Sequence, residues 1–288
     1  MLIFYIMDFN LYGFIFMNIN SKPIGIFDSG FGGITVLREL LKLMPNENYI
    51  YFGDNKNIPY GDKSKKEIIE LSSKMAEFLI NKNCKILVIG CNTITASASE
   101  ILKEKFDIPI IEVISNACAE ANKIAKDNIS IMATDFTVKS KIYLRKIKEK
   151  NKDIKITQIV CKKLCPMIEN DWQSFEDRFE ILNNYIKRID SNSDCLLLAC
   201  THYPLIMNDI KKVLKENKKN VKKIIEPSRP TAFSVKKYLK ENNLLNNNII
   251  KKNKLIIYTT SNDKIKAKNL LNIFLNNEKY ELEFVNLD

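Results

Sequence analysis

The chain has 288 residues, 45% of them hydrophobic, and a formal net charge of +11 at pH 7. Its length suits two domains of ordinary size, and its hydrophobic content is normal for a soluble globular protein. The lysines are scattered, without aromatic interleaving or a nucleic-acid-binding motif, so we interpret the charge as compositional bias and predict no nucleic-acid partner. Seven cysteines without disulfide-like spacing indicate a reducing, cytoplasmic environment.

The first 22 residues differ in composition from the rest of the chain. Residues 1–17 are rich in Phe, Ile, Tyr and Leu, but Asp8 and Asn10 interrupt the run. The segment lacks the basic start and the small-residue cleavage site of a signal peptide, and it is too short and too interrupted for a transmembrane helix. We therefore predict that residues 1–22 are a disordered extension or an artefact of start-site choice, with a peripheral membrane anchor as the alternative, and we predict no membrane partner.

From Ile24 onward, short apolar runs alternate with segments of helical periodicity. In chain order the predicted elements are strand 24–27, helix 34–43, strand 49–52, helix 65–81, strand 86–90, helix 97–106, strand 108–114, helix 116–126, strand 129–133, helix 138–150, strand 154–160, helix 175–189, strand 195–199, helix 205–217, strand 223–225, helix 231–241, strand 254–259, helix 264–275 and strand 280–285. This alternation implies parallel sheets joined by right-handed crossovers.

The order of these elements predicts an α/β protein of two similar domains, each a mostly parallel sheet flanked by helices, with the active site in the cleft between them. The first domain is predicted to comprise residues 23–115 plus 226–288, because the last strands plausibly complete the first sheet. The second domain is predicted at residues 116–225. The Asn- and Lys-rich stretch 243–253 is typical of a solvated surface loop.

Two runs of aliphatic residues stop at a cysteine and then turn polar, one at Cys91 and the other at Cys200. The only histidine of the chain, His202, follows the second cysteine closely. Ligands of open α/β sheets bind beyond the carboxyl ends of parallel strands, so both thiols are predicted to face a site. If the two runs belong to facing half-molecules, their sulfur atoms approach one substrate from opposite sides.

A structural role is the alternative for each cysteine, because free cysteines are among the most buried residues of proteins. We assign a core or incidental role to the five that lack this polar context, Cys84, Cys118, Cys161, Cys165 and Cys195. Cys161 and Cys165 are four residues apart with no histidine nearby in the sequence, so we predict no zinc site and no other metal.

A glycine-rich turn at residues 28–33 follows the first strand and precedes a helix. Glycines at such a place let the backbone turn tightly and approach a ligand. Asp28 stands where the dinucleotide-binding fingerprint has its first glycine, and its charge would repel a pyrophosphate. We expect Asp28 to receive or relay a proton from a nearby thiol or to hold an ammonium group; helix N-capping is the alternative.

Other polar groups follow the predicted strands. The Tyr60 hydroxyl and the Gly61 amide lie in the loop after the second strand. Free N–H groups at helix starts favour a carboxylate, and four residues are predicted at such positions: Asn92, Thr93, Thr201 and His202. Together these groups predict a site for a small zwitterion with one acidic side chain, with no room for a nucleotide.

The chain resembles the glutamate racemases of the cofactor-independent aspartate/glutamate racemase superfamily. The resemblance covers roughly residues 23–285 and rests on four stretches: Gly25-Ile-Phe-Asp-Ser-Gly-Phe-Gly-Gly33, Tyr51-Phe-Gly-Asp54 with Pro59-Tyr-Gly61, Cys91-Asn-Thr-Ile-Thr-Ala96, and Ala199-Cys-Thr-His-Tyr-Pro-Leu205. The last stretch is highly specific to this family.

The resemblance implies that Cys91 and Cys200 are the two catalytic bases, with Cys200 taking the proton from L-glutamate and Cys91 from D-glutamate. His202 would assist Cys200, Asp28 would assist Cys91, and Glu169 would lie near the second cysteine. The residues expected to bind the substrate are Asp28, Ser29, Tyr60, Gly61, Asn92, Thr93, Thr134, Thr201 and His202. The resemblance further implies a homodimer that needs no cofactor and supplies D-glutamate for peptidoglycan in a bacterial cytoplasm.

Three alternatives remain open from the sequence. The first is a racemase for aspartate or another acidic amino acid. The second is a Cys-His amidase or acyl transferase, which needs one nucleophile and leaves the other cysteine without a role. The third is a binding protein on the racemase fold, which predicts glutamate affinity without exchange of the Cα proton.

Overall fold

The structure is a computed structural model that describes residues 19–247, 254–276 and 278–287. The strands are β1 Ile24–Asp28, β2 Tyr49–Gly53, β3 Ile86–Ile89, β4 Ile110–Glu112, β5 Asn128–Ala133, β6 Lys155–Val160, β7 Cys195–Ala199, β8 Lys223–Ile225, β9 Leu255–Thr259 and β10 Glu281–Phe284. Predictions for residues 1–18 and 248–253 lie outside the described residues.

Helices connect most of these strands. We number them α1 Ile34–Leu43, α2 Lys65–Asn81, α3 Asn92–Lys105, α4 Val113–Ile124, α5 Asp135–Lys139, α6 Ile142–Lys148, α7 Leu164–Glu169, α8 Arg178–Ile186, α9 Met207–Glu216, α10 Ser228–Glu241 and α11 Lys264–Leu275. Short 3₁₀ turns lie at Asn55–Asn57, Tyr60–Asp62, Trp172–Ser174 and Tyr203–Ile206. Within the described ranges, no helix is long and apolar enough to cross a membrane.

The strands form two sheets, one in the order β10-β9-β2-β1-β3-β4 and the other in the order β6-β5-β7-β8. Every strand pair in the described part of the chain is parallel. The predicted α/β fold with parallel sheets is therefore confirmed. The strands β9 and β10, from the end of the chain, extend the sheet that β1 begins. The exact domain boundaries, 23–115 plus 226–288 and 116–225, stay a prediction.

Helices cover both faces of the central strands, and this explains their uninterrupted apolar sequences. All five residues of β1 and all five of β7 are buried. A single apolar cluster includes core residues of both sheets and the buried faces of α4 and α10. This shared packing joins the two sheets and fixes how their carboxyl ends face each other.

Several element boundaries differ from the prediction for local reasons. α3 begins at Asn92 rather than at residue 97, and the hydroxyl groups of Thr95 and Ser97 in this polar first part donate to carbonyls one turn back, so that they are satisfied within the helix. The prediction of one helix at 138–150 is wrong, since a left-handed residue, Lys141, separates α5 from α6. β4 ends at Glu112 because its carboxylate accepts hydrogen bonds from the first turn of α4.

A buried ion pair fixes the amino-terminal edge of the first sheet. Lys85 Nζ lies 2.6 Å from Glu47 Oε2, and each side chain is 1% exposed. The ammonium group also donates to the carbonyls of Asn20 and Leu244, and the other Glu47 oxygen accepts the Asn246 N–H. The pair therefore ties together three distant segments, and each charge depends on the other for compensation.

We expect Lys85→Met to lower the free energy of unfolding by roughly 3–5 kcal/mol, because it leaves the Glu47 carboxylate buried without a cation. The double variant Lys85→Met/Glu47→Met should recover most of this loss. The matched control is Lys42→Met in the pair with Glu39, where Lys42 is 64% exposed and the expected effect is about 0–1 kcal/mol. Urea denaturation measures all three, and equal losses for Lys85→Met and Lys42→Met would contradict the assignment.

Candidate active site

A cavity lies where the carboxyl ends of β1, β3, β5 and β7 meet. It is a small cavity, with a volume of about 40 Å³. Its lining comes from both sheets and consists of Asp28, Ser29, Ile58, Pro59, Tyr60, Gly61, Cys91, Asn92, Thr93, Thr134, Cys165, Cys200, Thr201 and His202. The structure thus brings together all the sequence-predicted site residues except Glu169, which lies behind His202.

Cys91 stands between β3 and the first turn of α3, and it is 5% exposed. Its sulfur lies 3.5 Å from the Ser29 hydroxyl oxygen. Burial, and next the nearby Asp28 carboxylate, raise the pKa of the Cys91 thiol well above its ordinary value, and the Ser29 hydrogen bond offsets only part of this. At neutral pH Cys91 is therefore the protonated thiol.

Asp28, fully buried at the end of β1, links the two halves of the site. Its carboxylate accepts a 3.0 Å hydrogen bond from the Ser29 hydroxyl on its own side and another of 3.0 Å from the Thr201 hydroxyl of the opposite sheet. Helix N-capping, the alternative role, is not observed, since α1 begins after Gly33. Asp28 therefore lines the cavity and also forms a hydrogen bond that connects the two halves of the site.

Cys200 directly follows β7, and its sulfur lies 3.6 Å from Nδ1 of His202. The same nitrogen lies 3.5 Å from the sulfur of Cys165. On the other side of the ring, Nε2 lies 2.5 Å from Oε1 of Glu169, which also accepts the Phe31 N–H at 2.8 Å. The imidazole thus bridges a carboxylate and two thiols.

This arrangement stabilises a charged pair. Burial by itself lowers the pKa of His202, but the Glu169 carboxylate and the Cys200 sulfur together raise it well above the ordinary value. Burial also opposes ionisation of Cys200, yet hydrogen bonds from Cys165 and His202 and the charge of the imidazolium lower the pKa of its thiol to about 6. Cys200 is therefore a thiolate at neutral pH, whereas Cys91 is a thiol.

The glycine-rich turn packs directly on this charged pair. A Cβ atom added at Gly32 would collide with the imidazole ring of His202, and one added at Gly30 would meet the Glu169 carboxylate. The turn needs glycines because its backbone lies against the side chains of the other sheet. The turn that was predicted to approach a ligand closely thus also lies close to the His202 imidazole.

The remaining predicted residues differ in whether their polar groups already have hydrogen-bond partners. Asn92 accepts a 2.6 Å hydrogen bond from Tyr143, while its buried Nδ2 has no hydrogen-bond partner among the described residues. The hydroxyl oxygens of Thr93 and Thr134 lie 3.2 Å apart across the cavity wall. The Tyr60 hydroxyl donates to Asp54 at 2.6 Å, so its proton is not available to a ligand.

Cys165 corrects the sequence analysis. We predicted a core or incidental role because no histidine stands near it along the chain, but the fold places His202 beside it and Cys165 lines the cavity. A signal was available: Cys165 precedes Glu169 by four residues, so both lie on one face of α7. Ile58 and Pro59 are further lining residues that the sequence analysis did not select.

Comparisons with known proteins identify the family of the chain. The Asp/Glu/hydantoin racemase family matches residues 29–227. The glutamate racemase of Fusobacterium nucleatum is 41% identical over 228 residues, which is 78% of this chain and 84% of that protein. The solved structure of Francisella tularensis glutamate racemase in complex with D-glutamate has a TM-score of 0.84 and 35% identity, covering 93% of this chain and 99% of that chain. Glutamate racemase isoform RacE1 of Bacillus anthracis has a TM-score of 0.85 and 30% identity, covering 93% and 98%.

We expect Cys91 and Cys200 to differ in reactivity toward iodoacetamide, because only a thiolate is the nucleophile. Alkylation of Cys200 should be fast at pH 7 and should fall to half its plateau rate near pH 6, the value to which its pKa is lowered. Cys91 should stay slow throughout. Peptide mass spectrometry assigns each site, and Cys200→Ser should abolish the fast phase. A half-point near pH 9 for Cys200 would contradict the thiolate assignment.

Proposed function

This chain belongs to the Asp/Glu/hydantoin racemase family and is an amino-acid racemase, and we propose that it interconverts L-glutamate and D-glutamate through two cysteine bases without a cofactor. One observation carries the proposal. Two cysteines from different sheets line the same cavity, and their surroundings favour opposite protonation states. Inversion at Cα requires such a pair, with one group that takes a proton and one that gives a proton.

In the direction from L- to D-glutamate, the Cys200 thiolate takes the Cα proton and becomes a thiol. The electron pair left on Cα then takes the Cys91 thiol proton on the opposite face, which leaves Cys91 as a thiolate. The reverse direction starts from that second state. The imidazolium of His202 stabilises the Cys200 thiolate, while the Asp28 carboxylate favours return of a proton to Cys91.

Substrate recognition is assigned to the hydrogen-bonding groups around the two sulfurs. The unpartnered Nδ2 of Asn92 is a buried donor that suits a carboxylate of glutamate. Hydroxyl groups of Ser29, Thr93, Thr134 and Thr201 lie in the same lining, and because those of Ser29 and Thr201 already donate to Asp28, these two offer acceptor oxygens to the substrate. The structure of the Francisella relative, solved with D-glutamate, supports glutamate as the ligand.

We also propose that the product D-glutamate is used for peptidoglycan synthesis and that the protein acts as a homodimer in a bacterial cytoplasm. All seven cysteines are free, which suits a reducing compartment. The three relatives named by organism above are glutamate racemases of bacteria.

We expect the protein, without added cofactor, to convert L-glutamate to D-glutamate in D₂O with incorporation of deuterium at Cα. Each of Cys91→Ser and Cys200→Ser should lose about 10²- to 10⁴-fold in kcat for racemisation, since each removes one of the proton-transfer groups. Chiral chromatography with mass spectrometry measures both the isomer and the label. Aspartate is the comparison substrate and should react far more slowly.

The two variants should also differ in which enantiomer of glutamate exchanges its Cα proton faster. Cys91→Ser should still exchange the Cα proton of L-glutamate faster than that of D-glutamate, and Cys200→Ser should show the reverse preference. The control is Cys84→Ala, because Cys84 lies before β3 at the end of the strand opposite Cys91. Racemisation at the original rate after either cysteine substitution would exclude the two-base mechanism, and glutamate binding without any exchange would favour a binding protein.

We expect Asn92→Asp to lower kcat/KM for glutamate about 10- to 100-fold, because it replaces a donor to a carboxylate by a second negative charge. The carboxylate oxygen keeps the hydrogen bond from Tyr143. Tyr143→Phe, which removes that bond but leaves the Asn92 amide, should have a much smaller effect. Steady-state kinetics separate the two variants, and equal losses would show that Asn92 acts through packing alone.

A further inference from the structure

We propose that Cys165, Cys200 and His202 form a binding site for a thiophilic divalent cation, Zn²⁺, and that occupancy of this site inhibits the racemase. The two sulfur atoms and Nδ1 of the histidine all lie within 4.8 Å of one another. The binding site stands on this geometry alone. The inhibition rests on the proposed function, because it requires Cys200 to be a proton-transfer base.

The two nitrogen–sulfur distances match those of a tetrahedral zinc centre. With zinc–sulfur bonds of about 2.3 Å and zinc–nitrogen bonds of about 2.0–2.1 Å at tetrahedral angles, a ligand nitrogen and a ligand sulfur lie about 3.5 Å apart. Nδ1 of His202 lies 3.5 Å from Cys165 Sγ and 3.6 Å from Cys200 Sγ. Little side-chain movement is therefore needed for these three donors to bind one ion.

Glu169 supplies the outer interaction that a zinc-binding histidine requires. Its Oε1 lies 2.5 Å from Nε2 of His202 and so fixes the proton on the nitrogen that faces away from the two sulfurs. Histidines that bind zinc through one nitrogen usually donate the other N–H to a carboxylate in this way. The backbone N–H of Phe31 in turn holds the carboxylate at 2.8 Å.

The choice of ion follows from the donors and from access. Two thiolates and an imidazole are soft to intermediate ligands, which select Zn²⁺ over Mg²⁺ and Ca²⁺. All three residues line the cavity, and Cys165 is only partly buried, so an ion can arrive by the route that the substrate uses. A water molecule or a substrate carboxylate from the cavity would complete four-coordination.

Zinc binding releases protons from the ligands and removes Cys200 from the reaction. On zinc binding, any proton that a coordinating atom carries is released to solvent, so that Cys165 and Cys200 coordinate as thiolates and His202 coordinates through a neutral imidazole Nδ1. The lone pair of Cys200 that would take the Cα proton is then used in a zinc–sulfur bond. Racemisation should stop in both directions, because each direction uses Cys200 either as base or as acid.

The experiment uses Co²⁺ as a spectroscopic substitute for Zn²⁺ on the reduced, EDTA-treated protein. We expect one Co²⁺ per chain, with thiolate-to-cobalt charge transfer in the near ultraviolet and visible bands typical of tetrahedral cobalt, both abolished by Zn²⁺. Cys165→Ala should lose these bands and weaken Zn²⁺ binding at least 10-fold. Glu169→Gln should weaken it about 10- to 100-fold. Cys84→Ala is the matched control and should bind like the original protein.

Protection from alkylation tests the same site without any substitution. Zn²⁺ should slow iodoacetamide modification of both Cys165 and Cys200 in the original protein and leave Cys91 unaffected. A cobalt complex without thiolate charge transfer, or a Cys165→Ala variant that binds Zn²⁺ as tightly as the original, would overturn the proposal.

Assays of racemase activity distinguish a failure of this inference from a failure of the proposed function. Each protein is assayed first without metal and then with increasing Zn²⁺, and inhibition is expressed relative to its own metal-free rate. Cys165→Ala should need at least 10-fold more Zn²⁺ for half inhibition. Zinc bound by these three residues with no metal-free racemisation would refute the proposed function and leave the binding site standing. Racemisation that is insensitive to bound zinc would overturn the inhibitory role.

Discussion

The contact between the turn after β1 and the turn after β7 is the interaction on which the site depends. The Asp28 carboxylate accepts the Thr201 hydroxyl at 3.0 Å, and the Thr35 hydroxyl donates to the Thr201 carbonyl at 3.1 Å. These bonds cross from one sheet to the other and are fully buried, so their loss would leave unpaired polar groups in the interior. They hold the two cysteine-bearing strand ends at one cavity.

The same contact makes the two halves of the site electrically different. On the Cys91 side a carboxylate lies near the thiol without a cation between them, and this favours the protonated sulfur. On the Cys200 side the Glu169 carboxylate acts through the imidazole of His202, which carries its effect to the sulfur as a positive charge. Asp28 thus raises the pKa of the Cys91 thiol, whereas Glu169, acting through His202, helps to lower the pKa of the Cys200 thiol. The difference is that a histidine lies between carboxylate and sulfur only on the Cys200 side.

The sequence predicted those parts of the fold and site that local pattern determines. The aliphatic runs before Cys91 and Cys200 marked buried parallel strands, and residues that follow such strands collect at one edge of a sheet. Residues that depend on contacts distant in sequence were not found from local pattern. Glu169 was selected only through the family resemblance, and Cys165 was misjudged, because His202 is 37 positions away along the chain. The break at Lys141 was missed because a left-handed lysine has no sequence signal comparable to glycine.

The chemistry that makes Cys200 a base also makes it a potential metal ligand. A thiol becomes a thiolate at neutral pH only where nearby donors stabilise negative charge on the sulfur, and here those donors are an imidazole nitrogen and a second thiol. Both groups become zinc ligands once they release a proton. On the Cys91 side the neighbours are a serine hydroxyl and an aspartate, which give neither a second sulfur nor an imidazole. The half of the site that favours the thiolate is therefore also the half that is able to bind a thiophilic metal. Cys165 strengthens this binding because it supplies a second sulfur.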